Sequence, residues 1–305
     1  MSEHIDIDGV IADAQVAFNV KFEQGTKAYS PSHIKLANEV PSSSGSNAYG
    51  FLEDFPEIKE WLADRQLKEL STKDYILKNK TFESSIAIKR EDFEDNDYGK
   101  YSMIFEQYGR KVAKFPDELM FNAMVNGHKP TGLGIDGQPF FDTDHPNGES
   151  VYSNLYGTEP TVPDGEIAKP KWYLFDSNQG LKPFIYQNRR PIIMTSVTRP
   201  EDAEVFLKNK YLFGVDGRLN VGYGMWQCAA ASYDDLTTDN FGVVYDGMLS
   251  IKGSSGTPLG IVPSIIVVPV TLRAAAEKIL LRQQLDNGED NPNYKRVEII
   301  ISPYL

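Results

Sequence analysis

Apolar and polar positions along the chain form a few regular patterns separated by long irregular stretches. The most regular is a stripe between Tyr98 and Val125. Tyr101, Ile104, Phe105, Tyr108, Val112, Phe115, Leu119 and Met120 recur there at spacings of three and four, the period of one helical face. Asp95 and Asp97 stand at its start, where negative charge complements the helix dipole, and Gly127 is a natural stop. At 1.5 Å per residue such a helix reaches about 40 Å, so it is the expected spine of the fold. Pro116 is expected to kink or divide it after Phe115, because proline lacks an N–H and crowds the preceding turn.

Strand patterns lie on either side. In Thr81 to Lys89, Phe82, Ile86 and Ile88 share one face while Glu83, Ser85 and Lys89 share the other, the alternation of a half-exposed strand. Tyr75-Ile76-Leu77 precedes it, and Lys78-Asn79-Lys80 is expected to turn the chain between the two as a hairpin with charged flanks. Trp172 to Phe175 and Phe184-Ile185-Tyr186 read as buried strands. Gly214 to Arg218 reads as a turn leading into Leu219 to Ala231. A strand from Ile265 to Val270 leads into a helix of about Thr271 to Leu285, with Thr271 as N-cap and Leu272, Ala275, Ala276, Ile279 and Leu280 inward. Val297 to Ile301 reads as a closing strand. Shorter helices are expected at Asp13 to Phe22, Glu57 to Leu62 and Pro200 to Lys208. The rest of the first fifty residues looks loosely organised. Its polar run from Pro41 to Asn47 is a flexible connector, or an arm that orders only against a neighbouring subunit. Between Gly127 and Lys171, glycine and proline dominate, as in long loops with short strands. There is no internal repeat.

Composition narrows the function. The 305 residues suggest about two domains or one large one, enough to bury a core without staples. With 31 Lys+Arg against 43 Asp+Glu, the net charge is −12, which repels phosphate backbones and argues against sequence-independent nucleic-acid binding. The strongest apolar run, Ile265 to Val268, ends at Pro269, far short of the ~20 residues of a spanning helix. The acidic start lacks the apolar segment of a signal peptide. One cysteine, Cys228, excludes an intrachain disulfide and a cysteine-based metal cluster. The four histidines, His4, His33, His128 and His145, are widely spaced.

The most enzyme-like string is Phe140 to Gly148. Asp142, Asp144 and His145 offer oxygen and nitrogen ligands for a metal-assisted hydrolase. The competing reading is a turn fixed by Asp, Thr, Pro, Asn and Gly, and it is stronger because no second His/Asp cluster stands nearby. Gly127, Gly132, Gly134 and Gly137 form no phosphate-binding motif. Cys228 has no base or cation beside it in sequence and reads as a packed thiol. Arg189-Arg190 reads as a rim ion pair with a subunit or a solvated face, or less readily as an anion site. No catalytic, cofactor-binding or metal residue is expected, and no enzyme activity.

Several strings in fixed order carry a resemblance. Tyr49 to Glu60 with Trp61 and Asp64-Arg65 comes first, followed by Asn79 to Glu83 and Arg90 to Gly99. Asp136 to Pro146, Trp172 to Phe175, Lys182 to Gln187, Tyr211 to Arg218, Val267-Val268-Pro269 and Leu272 to Ala276 complete the series. Together they resemble the major head subunits of Mu-type tailed phages and Mu-like prophages, over about Tyr49 to Ile301. Val270 stands where that family commonly has a second proline. The resemblance implies an α+β chain of the tailed-phage major capsid fold, the Hong Kong-97 type. Its implied division is an N-terminal arm (1–48), the start of a peripheral domain (49–65), an extended hairpin loop (66–97), the peripheral domain with its spine helix (98–182), an axial domain (183–262) and a C-terminal return segment (263–305). It implies pentamers and hexamers that close into an icosahedral shell around double-stranded DNA. The implied partners are a scaffold protein, a head maturation protease and a portal, with non-specific DNA contact at most and no membrane. The implied location is the virion, after assembly in the host bacterial cytoplasm. It supplies no catalytic residue, cofactor or metal. A non-viral protein compartment of the same fold is the other shell-forming reading.

Overall fold

The computed structural model describes residues 7–52, 72–95, 97–148, 150–160, 170–199, 201–254, 256–285 and 287–305. In chain order the first elements are α1 (Ile7–Lys27), α2 (His33–Leu36), β1 (Ala37–Pro41), β2 (Ser46–Leu52), β3 (Thr72–Lys78), β4 (Lys80–Lys89), α3 (Glu91–Glu94) and α4 (Ser102–Asn126). The middle holds β5 (His145–Asn147), β6 (Ser150–Tyr152), β7 (Leu155–Tyr156), β8 (Trp172–Phe175), β9 (Phe184–Val197), α5 (Ala203–Lys208) and β10 (Lys210–Tyr223). β11 (Ala229–Ser232), α6 (Thr238–Leu249), β12 (Ile265–Pro269), α7 (Arg273–Leu280) and β13 (Glu298–Ser302) complete it.

Two sheets dominate. One has the order β13-β12-β8-β11-β7. Its central strands are buried along their whole length, and alternate residues reach opposite cores, as the period of two dictates. Trp172, Leu174, Ile266 and Val268 meet Phe241 and Met248 of α6 and Ile279 of α7. Tyr173, Phe175, Ile265 and Val267 meet Met120 and Met124 of α4. A sheet covered on both faces explains why these strands read as continuous apolar runs.

The other sheet has the order β1-β9-β10-β4. β9 and β10 are 14 residues each, about 46 Å at 3.3 Å per residue. Their inner ends, through Phe184, Tyr186, Leu219 and Tyr223, join the core under α4. At the outer end Tyr211, Phe213 and Val215 pack with Phe18 of α1 and Phe105 of α4, where Phe18 stacks on Phe105 with centroids 4.2 Å apart. α1 and α4 cross closely. A Cβ on Gly25 would lie 2.0 Å from Glu106 O, and one on Gly109 would lie 2.0 Å from Phe22 O, so only glycine fits at either crossing position.

The structure corrects several expectations. The first fifty residues are ordered from Ile7 on: α1 runs well beyond Asp13 to Phe22, because packing on α4 extends it. The run from Pro41 to Asn47 is a bonded corner. Asn79 Nδ2 donates to Ser42 Oγ (3.0 Å) and Ser44 O (2.9 Å), and its N–H donates to Gly45 O. The hairpin across Lys78-Asn79-Lys80 does not form. β3 pairs with β2, and β4 pairs with β10 from Lys210↔Lys89 to Leu219↔Lys80. Asn79 therefore passes the chain from one sheet to another. Ile88 is buried and Ile86 packs beside it, so one face of β4 joins the core of its own subunit. Pro116 does not divide α4. Gly214 to Arg218 is mid-strand, with register shifts near Asp216 and Arg218 in place of a turn. The helix after β12 ends at Leu280, and its N-cap is Leu272 and not Thr271. α6, capped by Thr237 Oγ1 accepting from Asn240 N–H (3.2 Å), has no counterpart in the sequence reading. The helix expected at Glu57 to Leu62 lies outside the described residues. β8 and β11, which fall on either side of the expected boundary at 182/183, are paired neighbours in one sheet.

Candidate assembly surfaces

The residues with the most chemical promise are built into the interior. His145 is fully buried and stacks on Trp226 with centroids 4.2 Å apart and planes 6° from parallel. Its Nδ1 is 2.6 Å from Asp136 Oδ2 and its Nε2 is 3.2 Å from Asn154 Oδ1. Asn154 in turn donates to Phe140 O and Trp226 O, and accepts from the Asp142 N–H at 2.8 Å. The Asp142 carboxylate accepts from Thr143 N–H (2.7 Å), while Asp144 is exposed. The three candidate ligands diverge, and among the described residues no group of three or more His, Cys, Asp and Glu side chains could hold a metal. The string that read as a turn is a hydrogen-bonded loop with His145 as its internal bolt.

Cys228 is buried, and burial and then the nearby Asp176 push its thiol up to about 12, so it is a protonated core side chain at neutral pH. Arg190 Nη2 pairs with Asp216 Oδ2 on the adjacent strand of the same chain, so this ion pair is internal to the subunit. Asp117 is a group that sequence reasoning missed. It sits fully buried on α4 and holds the segment before β1. Tyr29 Oη (2.6 Å), Ser32 N–H (2.8 Å) and His33 N–H (2.8 Å) donate to it, and His33 Nδ1 lies 2.6 Å away. Burial pushes its carboxyl up, but the hydrogen bonds from His33, Tyr29 and the two backbone N–H groups outweigh that and hold it below the usual value. An acid following a proline inside a helix was the available signal.

The surface carries what the interior does not use. β2 and β3 form a two-stranded antiparallel ribbon from Ser46↔Lys78 to Leu52↔Thr72, paired only with each other. Seven residues span about 23 Å, and a two-stranded ribbon alone is marginal in water. Its root is bolted down. Tyr49 Oη donates to Gln187 Oε1 (2.7 Å), Gln187 Nε2 donates to Leu77 O (3.2 Å), and Tyr223 N–H donates to Tyr75 Oη (3.1 Å). Ile76 is 63% exposed on it. A second surface is apolar. On α5, Val205 fills the core while Phe206 and Leu207 stand 80% and 76% exposed, and Met103 of α4 and Val16 of α1 are exposed too. The third is the outer face of the four-stranded sheet. There the rows Val197↔Leu212↔Ala87 and Thr195↔Gly214↔Ser85 present small and apolar side chains. Adjacent exposed apolar side chains such as Phe206 and Leu207 are candidates for contact with another chain.

The family model described as Mu-like prophage major head subunit gpT matches residues 11–305. The major capsid protein of Escherichia phage Mu is 38% identical over 293 residues, covering 93% of this chain and 94% of that protein. The FluMu major head subunit of a Mu-like prophage in Haemophilus influenzae is 36% identical, covering 95% and 96%. The procapsid of bacteriophage JBD30 matches in structure with a TM-score of 0.80 at 38% identity, covering 97% of this chain and 99% of that one.

Proposed function

Because the chain belongs to the Mu-like prophage major head subunit family, with the α+β fold of tailed-phage capsid proteins, we propose a specific division of labour for its parts in the head. The protein is a virion component, a structural capsid subunit that assembles into a shell, and not an enzyme. The metal-assisted hydrolase and the non-viral compartment find no support, since Asp142, Asp144 and His145 diverge and the relatives are phage head proteins.

In this reading the subunits form pentamers and hexamers that close into an icosahedral shell around double-stranded DNA. A scaffold protein, a maturation protease and a portal act with it in the host bacterial cytoplasm. Heterologous contacts repeated by rotation close rings, and the −12 charge of the chain lets packaged DNA slide over the wall. The five-stranded sheet with α6 and α7 serves as the axial domain. The four-stranded sheet with α1 and α4 serves as the peripheral one. In this division the extended loop is the β2–β3 ribbon.

The observation that carries this reading is the ribbon, rooted by Tyr49 and Tyr75 yet paired with no other strand of the described chain. Laid over a neighbour's open sheet face, it gains the cover that one subunit cannot give it. Replacing residues 51–73 with a short Gly-Ser linker, which keeps the anchors Tyr49, Tyr75 and Leu77, is expected to leave a folded subunit that builds no stable particles in negative-stain microscopy. Normal particles from that variant would overturn the role of the ribbon. A wild-type chain that stays monomeric at high concentration with scaffold present would overturn the ring-and-shell reading.

A further inference from the structure

The chain contains three Asn-Gly pairs, at Asn126, Asn147 and Asn287. In each, the backbone nitrogen of the glycine can attack the amide carbon of the asparagine side chain, because glycine has no Cβ to hinder the approach. The fold treats the three pairs differently. Asn126 is the last residue of α4, and its Nδ2 donates to Asn122 O (2.8 Å) and Asn122 Oδ1 (2.6 Å). Gly127 beside it is buried, with its N–H on Met124 O. Asn147 is buried in β5 and its Nδ2 donates to Lys252 O (2.6 Å), while a Cβ on Gly148 would lie 2.8 Å from Ser254 O. Neither pair can turn into a ring without first breaking helix or strand contacts.

Asn287 and Gly288 lie in the loop between α7 and β13, and both are exposed. Gly288 has a φ of +86°, and a Cβ there would meet nothing within 4 Å, so the space around its nitrogen is open. The loop tip is closed by local bonds. Leu285 N–H donates to Glu289 O (2.8 Å), and Gly288 N–H donates to Leu285 O (3.0 Å). The anchor of the loop lies further on, where the buried Asn291 donates through Nδ2 to Ile279 O and Arg282 O, both at 2.8 Å. Opening the tip therefore disturbs no core side chain and belongs to the low end of local stability. Glu289 also touches both ends of the Asn287 amide. Its N–H donates to Asn287 Oδ1 (3.1 Å), and its Oε2 accepts from Asn287 Nδ2 (2.8 Å). The first of these bonds stabilises negative charge as it develops on Oδ1.

We infer that Asn287 is a site of slow self-modification in the folded subunit, where Gly288 N closes on Asn287 Cγ and water then opens the ring to aspartate or isoaspartate. Hydroxide takes the proton from Gly288 N as the N–Cγ bond forms. The Cγ–Nδ2 bond breaks, and Nδ2 takes a proton from water and leaves as ammonia. One water then adds to either carbonyl of the cyclic imide and breaks its bond to Gly288 N. Breaking at Cγ gives aspartate, and breaking at the main-chain carbonyl gives isoaspartate. No oxidant or reductant enters. Aspartate puts a carboxylate where Nδ2 faced Glu289 Oε2, so a donor is lost and like charges stand opposed. Isoaspartate adds the same charge and lengthens the backbone. Either product loosens the tip while Asn291 keeps the base of the loop. The reaction needs only the folded chain, so it goes beyond the shell reading and does not rest on it.

The test is incubation of the full-length protein in mildly alkaline buffer made with heavy-oxygen water, followed by peptide mass mapping. Asn287 is expected to convert at least about tenfold faster than Asn126 and Asn147. In strong denaturant the three rates are expected to converge to within about threefold, because the unfolded chain has none of these contacts. Equal rates at the three sites in the folded protein would overturn the inference. So would a preference for Asn287 that persists unchanged in denaturant, since the fold would then not be its cause. Asn287→Gln keeps an amide but closes a larger ring far more slowly, and conversion of this loop at the wild-type rate in that variant would contradict the assignment. The consequence is read separately on Asn287→Asp, which should melt as the wild type does. A non-specific protease should cut its loop about threefold or more faster than that of fresh wild-type protein. Equal cutting would overturn the loosening.

Discussion

Both sheets of this subunit bury apolar inner faces, but one is finished and the other is not. β8, β11 and β12 are covered on both sides by helices and by the strands below α4, so each residue of Trp172 to Phe175 is buried. β9, β10 and β4 have α1 and α4 on one side, and on the other the β2–β3 ribbon packs against the inner ends of β9 and β10 at Ile185 and Gly222. Beyond the ribbon on that side Ile193, Val197, Ser85 and Ala87 remain exposed. The first arrangement is that of a self-sufficient core. The second is what a shell protein needs, because a subunit that satisfied all its own surfaces would have nothing to gain from its neighbours.

Breaking the finished sheet should have the largest effect on folding. Trp172 is fully buried and its Nε1–H donates to Asp234 O at 2.8 Å. Trp172→Ala is expected to cost about 3–5 kcal/mol, seen as a large drop in the urea midpoint. Next comes the cover on the unfinished sheet. Asp117→Ala strands the Tyr29 hydroxyl, the Ser32 and His33 N–H groups and the His33 ring, for an expected loss of about 1–3 kcal/mol, measured in the same way. The sign of its pH dependence follows from a carboxyl held below its usual value. Its contribution is complete above the unfolded value of about 3.9 and is lost as pH falls through the lower folded one. Wild type and Asp117→Ala should therefore converge in stability under acid, and a constant gap down to pH 2 would contradict the ionised clamp. Gly109→Ala forces the α1–α4 crossing apart, at about 1–3 kcal/mol. Limited proteolysis should then release α1 first. The smallest effect on the isolated subunit is expected at the surface. Phe206→Ser with Leu207→Ser should move stability by no more than about 0.5 kcal/mol per site, yet lower particle yield. A large loss of subunit stability there would show that the unfinished side is internally packed after all.

What could be read from the chain followed from local periodicity. The stripe from Tyr101 to Met120 specified α4, and the unbroken apolar runs Trp172 to Phe175 and Ile265 to Val268 specified β8 and β12, because a period of three to four or an absence of polar positions is a property of the segment itself. The scarcity of catalytic groups was visible too, and the order of short strings was enough to indicate the family. Partnership was not visible. Lys78-Asn79-Lys80 has the residues of a hairpin turn, yet β4 pairs with β10, more than a hundred residues away, because the face bearing Ile86 and Ile88 fits the pocket made by Phe105, Phe213 and Tyr211. Gly214 to Arg218 has the residues of a turn, yet two neighbouring strands hold it extended. α1 grew past its weak periodicity because Gly25 and Gly109 let two backbones touch. Local preference amounts to a few tenths of a kcal/mol up to about 1 kcal/mol per residue, whereas seating a strand or helix on a core buries side chains worth about 1.5–3 kcal/mol each. The sequence alone determined which segments are helix or strand where their own pattern was strong. Tertiary structure decided which strands pair, where the chain changes sheets, and which faces remain open for another copy.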